Sequence, residues 1–186
     1  SENPASEIDR AMLGIRWLLG LQNRDGGMPT FCRGWGHLPF DRSSADITAH
    51  AIRAWNLWKP YITPPLQRSI QVATRRALDY LKRMQKEDGS WDPLWFGNQH
   101  LEAENNPLYG TAKVVEGWLC LASEPAEEPG LSHAIHWLID QQSDNGGWGA
   151  TKGLPNTIEE TALAVSALAL AASRWPGEGH PQGHRL

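Results

Sequence analysis

Only two cysteines, Cys32 and Cys120, occur in the 186-residue chain, far apart and in no Cys-x-x-Cys pair. They offer neither a disulfide framework nor a thiolate metal site, and a reducing compartment fits them. A dominant charge is also missing. Seventeen Lys and Arg stand against 21 Asp and Glu, a formal net charge of −4 with no basic stripe, which argues against nucleic acid as the main partner. The longest apolar-leaning run, residues 162–172, is well short of the roughly 20 residues that span a bilayer. The N-terminal SENPASEIDR lacks the charged-then-apolar order of a signal peptide, so no anchor or leader is expected in it. No alternating pattern of useful length marks a strand. The chain opens on Ser1 rather than Met, so the natural polypeptide is expected to be longer.

What is present is tryptophan, ten in all, in a repeating pattern. WLLGLQNRDGGM from Trp17, YLKRMQKEDGSW from Tyr80 and WLIDQQSDNGGW from Trp137 align without gaps. Each carries an aromatic before Leu, then a Gln (Gln22, Gln85, Gln142), then glycine, then a bulky residue (Met28, Trp91, Trp148). Downstream of each lies a second register, ITAHAIRAW, GTAKVVEGW and ETALAVSAL, aligned on Thr48, Thr111 and Thr161. Such self-similarity marks one supersecondary unit written three times: helix, Gly-rich turn, variable loop, second helix.

Apolar residues at helical spacing (Ile8, Met12, Ile15, Leu19; Leu78, Leu81, Met84) give the first and the third helix one apolar face each. Pro64 and Pro65 suit a helix start, and the glycines after each Gln supply C-terminal stops. Helices are predicted near 5–22, 44–58, 65–85, 108–123, 130–142 and 157–172, an all-α chain of about three hairpins. Residues 1–172 form the repeat domain, and the Pro-, Gly- and His-rich 173–186 is read as a flexible tail. A Gln amide can pair with exposed backbone groups at helix ends while an indole covers its planar face, tying adjacent hairpins together.

The repeat resembles the QW motif of the squalene-hopene and oxidosqualene cyclases, aromatic-Leu-x3-Gln before Gly-x-Trp, with Met28 in place of Trp in the first copy. The resemblance covers roughly residues 8–172 and implies a fragment of an α/α barrel, half of the family's catalytic domain. NPLYGTAKV is similar to the family's LYGT segment, whose Tyr lines the cavity and stabilises cations; Tyr109 holds that position. SADITA aligns with the family's DxDDTA acid motif. Asp46 matches the middle, substrate-protonating Asp, while Ser44 and Ile47 replace its acidic companions. Gln141 stands where the family has a His that bonds the acid.

Protonating an alkene needs an aimed carboxylic acid in a dry cavity, and the resulting cations need aromatic faces that cannot trap them. Phe31, Trp35, Phe40, Trp95, Phe96 and Tyr109 are the loop and helix-start aromatics that qualify as substrate-binding groups. Other readings of the same residues stand beside these. Ser43 followed by Asp46 also spells a capping box with Asp at N3. Tyr109 also reads as a buried aromatic with a bonded hydroxyl. His50 lies one turn after Asp46, placed either to orient it or as a core residue. Asp41 and Arg42 read as a solvated loop, and His100, Glu102 and Glu104 as a carboxylate cluster without metal-ligand spacing.

The implied activity is proton-initiated cyclisation of squalene or a related polyprenyl, with Asp46 as acid, Tyr109 as cation stabiliser, and no metal or organic cofactor. The second reading is a non-catalytic isoprenoid-binding or interaction module that keeps the scaffold. A protein prenyltransferase β subunit shares the barrel but needs zinc ligands that the sequence does not pair. Expected partners are a hydrophobic isoprenoid and the remainder of the barrel, from a longer chain or from self-association, because three hairpins leave apolar flanks. The expected location is cytoplasmic, with peripheral membrane contact as an option.

Overall fold

The computed structural model describes residues 4–33, 38, 41–122 and 128–175. Six helices follow one another: α1 (Pro4–Leu21), α2 (Ala45–Trp58), α3 (Pro64–Met84), α4 (Pro107–Leu119), α5 (Pro129–Asp140) and α6 (Ile158–Arg174). All six expected helices are present. The main difference is α4, which stops at Leu119 rather than near 123. A two-residue antiparallel ladder, β1 (Met28–Pro29) with β2 (Ser43–Ser44), joins the first glycine turn to the start of α2. Two residues are too few to print an alternating pattern. Among the described residues no helix is long and apolar enough to cross a membrane.

The chain divides into two compact units, Ser1–Met84 and Gln85–Leu186. In the first, α2 packs on α3 and α1. Its core holds Ile15, Met28, Ile52, Trp55, Ile70 and Leu81. In the second, α4 packs on both α6 and α5. Nearly every side chain of α4 is buried, the signature of a helix apolar all round. Trp91 and Trp118 meet edge to face there, 6.2 Å apart and both fully buried. Gly110 permits this packing, since a Cβ on it would lie 2.3 Å from the Trp91 carbonyl oxygen.

The repeat is a hydrogen-bond pattern. Gln22 Nε2 donates to the Gly26 carbonyl at 2.8 Å and to the Ala73 carbonyl of α3 at 2.9 Å. Gln85 Nε2 donates in the same way to Gly89 at 2.9 Å and to Gly130 of α5 at 2.7 Å. Gln142 Nε2 donates to Gly146 at 2.9 Å. A hydroxyl holds the other side of each turn. Thr48, Thr111 and Thr161 accept the backbone N–H groups of Met28, Trp91 and Trp148 at 2.9, 3.0 and 3.0 Å. The glutamines pair with backbone as expected, while the Trp148 indole N–H goes to the Leu138 carbonyl at 2.8 Å.

The burial of these amides sets a rank order. Gln22→Ala and Gln85→Ala each strip two carbonyls of a donor and are expected to cost about 1–3 kcal/mol. Gln142 is exposed and makes one such bond, so Gln142→Ala is expected to cost well under about 1 kcal/mol. Urea melts of the three variants check this. Equal losses would show that the inter-helix bonds contribute little.

Candidate functional site

In the first unit, Asp46 sits at the second position of α2 and is 1% exposed. Ser44 is the N-cap, in extended conformation, but its side chain makes no capping bond to the backbone. Its hydroxyl instead donates to the Asp46 carboxylate. The capping box of Ser43 and Asp46 is therefore not what forms. Ser43 turns its hydroxyl to Asp25 at 2.8 Å and accepts Asn23 Nδ2 at 3.1 Å, and Asp46 stands at N2 with a serine partner. The physical reason is the β1–β2 ladder, which fixes Ser43 and Ser44 in extended backbone and delays the helix by one residue.

Tyr80 lies in the same electrostatic neighbourhood. Burial pushes its hydroxyl well above the ordinary 10.0, Asp25 and Asp46 push it further, and Arg83 and Arg42 oppose them. His50 is exposed although it shares a helical register with buried Asp46. The solvated loop expected at Asp41 and Arg42 needs a correction: Arg42 is exposed, but Asp41 is 2% exposed. The Asp41 carboxylate accepts the Leu38 backbone N–H at 2.8 Å and its carbonyl accepts Asn23 Nδ2 at 2.9 Å, so the loop is folded onto the turn.

In the second unit, Tyr109 is buried in the first turn of α4. Its backbone N–H donates to Oδ1 of the N-cap Asn106 at 3.1 Å. Phe96 stacks on its ring at 4.3 Å and 23°, and Lys113 Nζ lies 6.0 Å from the ring centroid. Trp95 and Phe96 are each 47% exposed and Phe31 is 69% exposed. Trp35 and Phe40 lie outside the described residues. Residues of the loop from Pro93 to Asn105, Trp95 and Phe96 among them, line an open pocket of about 470 Å³. Gln141 accepts the Lys152 backbone N–H at 2.8 Å. His100, Glu102 and Glu104 are exposed, and among the described residues no three ligating side chains converge.

One residue escaped the sequence. Glu160, in the first turn of α6, is 3% exposed. Its Oε1 accepts Asn98 Nδ2 at 3.0 Å and Asn106 Nδ2 at 2.9 Å, while Oε2 is buried without a partner among the described residues. One carboxylate oxygen thus joins the loop that carries Phe96 to the cap that carries Tyr109. The available signal was a charged residue just before Thr161, where the other copies have Ile47 and Gly110.

A second acid in this unit shows the opposite balance. Burial pushes the Asp88 carboxyl up, but Ser90, Lys86 and the Trp137 indole N–H together hold it below the ordinary carboxylate range. The indole donates to Asp88 at 3.2 Å, which places Trp137 against the Gly89 turn.

Helices followed by glutamine-bonded glycine turns, with a buried acid at the start of α2 and a stacked tyrosine at the start of α4, are the features of an α/α-repeat protein of the terpene cyclase type. The squalene-hopene cyclase C-terminal domain matches residues 2–174, and the chain belongs to that family. It is 27% identical over 192 residues to enfumafungin synthase of Hormonema carpetanum, covering 94% of this chain and 14% of that protein. It is 29% identical over 181 residues to a probable squalene–hopene cyclase of Sinorhizobium fredii, covering 85% and 26%. Against copalyl diphosphate synthase of Streptomyces cyslabdanicus it is 31% identical over 128 residues, covering 69% and 22%. The chain thus spans a quarter or less of the length of most of the curated relatives it matches, and 26% of the S. fredii protein.

The raised Tyr80 hydroxyl has a signed consequence. Above pH 10 the unfolded chain has released this proton and the folded chain still holds it, so stability falls as pH rises, by up to about 1.4 kcal/mol per pH unit. Tyr80→Phe is expected to flatten that alkaline decline in urea melts, and an unchanged slope would place the titration elsewhere.

Proposed function

We propose that this chain supplies the proton-donating part of a class II terpene cyclase, acting on squalene or a related polyprenyl chain, with Asp46 as the acid. The observation that carries this reading is the buried Asp46 carboxyl held by the Ser44 hydroxyl at a helix start. A buried carboxyl is costly to keep unless it has a partner or a task. Among the described residues its hydrogen-bond partner is one neutral hydroxyl, which leaves carboxyl capacity for an alkene. When the proton leaves for the terminal double bond, the Ser44 hydroxyl remains as a hydrogen-bond donor to the carboxylate. In the second unit, the stacked Phe96–Tyr109 pair is the aromatic group whose chemistry suits cation stabilisation.

The departures from the acid motif, Ile47 and Gln141, favour the second reading, a module that binds isoprenoids without turning them over. The two readings separate in one assay. Purified protein given squalene, and in a parallel arm an all-trans prenyl diphosphate, is expected to yield a cyclic product by mass spectrometry. Asp46→Asn is expected to lower the rate about 10²–10⁴-fold with an unchanged thermal melt. Ser44→Ala is expected to lower it about tenfold. A fully active Asp46→Asn variant would refute the assignment of the acid, and saturable binding without product would establish the module.

A further inference from the structure

We propose that the pocket of the loop from Pro93 to Asn105 selects a cation, and that Glu160, which does not line it, supplies the selecting charge. That its natural occupant is the carbocation of a cyclisation rests on the function proposed above. The pocket, about 470 Å³, is of the size that holds small molecules, and two half-exposed rings, Trp95 and Phe96, are among its lining residues. Aromatic faces attract cations without trapping them. Asn98 lines the pocket as well.

One amide behind that wall lies a charge. Asn98 Nδ2 donates to Glu160 Oε1 at 3.0 Å, and Asn106 Nδ2 donates to the same oxygen at 2.9 Å. Glu160 is 3% exposed, and its Oε2 is buried with no hydrogen-bond partner among the described residues. Its partners are two neutral amides, with no counter-ion among the described residues. Such a carboxylate is costly to bury, and in low-dielectric surroundings its field reaches farther than that of a surface charge. Glu104 also lines the pocket but is exposed, where water and salt screen it. Lys113, whose Nζ lies 6.0 Å from the Tyr109 ring centroid, is matched by Glu116 at 3.6 Å. That pair is neutral as a whole, and Glu160 leaves one negative charge over beside the stacked Phe96–Tyr109 rings.

The separation matters chemically. A carboxylate touching a carbocation bonds to it or takes its proton, whereas a carboxylate one amide away lowers the energy of the cation and cannot reach it. Glu160 is therefore a positioning residue. Through Asn98 and Asn106 it fixes the loop and the cap that carry the two rings, and it sets the sign of the field at the pocket.

Calorimetric titration with dodecyltrimethylammonium below its micellar concentration, and with dodecan-1-ol as the uncharged counterpart, reads this charge without any turnover. The protein is expected to prefer the ammonium. Phe96→Leu, which keeps an apolar side chain without a π face, is expected to weaken the ammonium selectively and so place it in this pocket. Glu160→Gln keeps an acceptor oxygen for both asparagine amides and removes the charge; it is expected to weaken ammonium binding about tenfold and leave dodecanol unchanged. Glu160→Asp restores the charge and is expected to recover part of the loss. Lys113→Met removes a positive charge from the same surroundings and is expected to tighten ammonium binding, which tests the sign even where Glu160→Gln does not fold. Equal ammonium binding by the unmodified protein and Glu160→Gln overturns the proposal, as does no preference over dodecanol or no tightening in Lys113→Met. A Glu160-dependent preference in a protein that forms no cyclic product supports the charged pocket and removes the carbocation as its occupant. Cyclic product with Glu160-independent ammonium binding overturns the pocket's selectivity and leaves the cyclase reading in place.

Discussion

A single side-chain amide, just after α1, α3 and α5, sets the terms for the rest of this structure. The carbonyls at a helix C-terminus have no intrahelical donors, and a glycine turn adds more orphan backbone. Gln22 and Gln85 answer both needs, donating one N–H to the turn and one to a carbonyl of α3 or α5 respectively. That second bond is made only if the next helix comes close. Close approach in turn excludes a side chain at Gly26 and Gly89, whose positive φ already favours glycine. On the inner side Thr48 and Thr111, both fully buried, take the backbone N–H that follows the turn. Each turn is thus clamped from two helices, and the Gln, Gly and Thr positions serve a single constraint.

That clamp explains where chemistry can reside. A loop leaving a fixed turn and returning to a fixed helix start can vary in length and composition while its ends stay in place. The first loop delivers Ser44 and Asp46, the second delivers Phe96 and Asn98 beside Tyr109 and Asn106, and the third is short. Polar groups at the starts of α4 and α6 are tied to one another rather than to solvent: Glu160 accepts from both Asn98 and Asn106. A buried carboxylate with two amide donors on one oxygen holds its neighbours in one arrangement, because any slip leaves a charged or polar atom unpaired. The stacked Phe96–Tyr109 pair inherits its placement from that arrangement.

The periodic part of this design was legible in the sequence because the clamp requires fixed offsets. Gln, Gly and Thr each do one backbone job at one distance, so their spacing exposed the six helices. The parts that were not legible depend on partners distant in sequence. Glu160 reads as an ordinary first-turn acid until Asn98 and Asn106 arrive beside it. Asp41 reads as a solvated loop residue until that loop folds back on Asn23. The N-cap of α2 fell one residue later than the serine-to-aspartate spacing implied, because the β1–β2 ladder, set by a turn far upstream, keeps Ser43 extended. Local rules such as the capping box were overruled where the clamp imposed its own backbone.

The same displacement alters what the substitution at Ser44 means. On sequence, Ser44 replaces an acidic companion of Asp46 and reads as a loss. In the fold its hydroxyl is the group that bonds the Asp46 carboxylate. A carboxylate at that position would bring a second negative charge beside the acid and disfavour its ionised form, whereas a hydroxyl donates without charge. The start of α2 adds a favourable dipole on the same side. Tyr80, whose hydroxyl is held far above its ordinary range by burial and by Asp25 and Asp46, stays neutral beside them and adds no further negative charge. Asp46 is thus bonded by a neutral hydroxyl at a helix start. The reading of Asp46 as a proton donor rests on its burial and its bonded hydroxyl rather than on the number of acids in the motif.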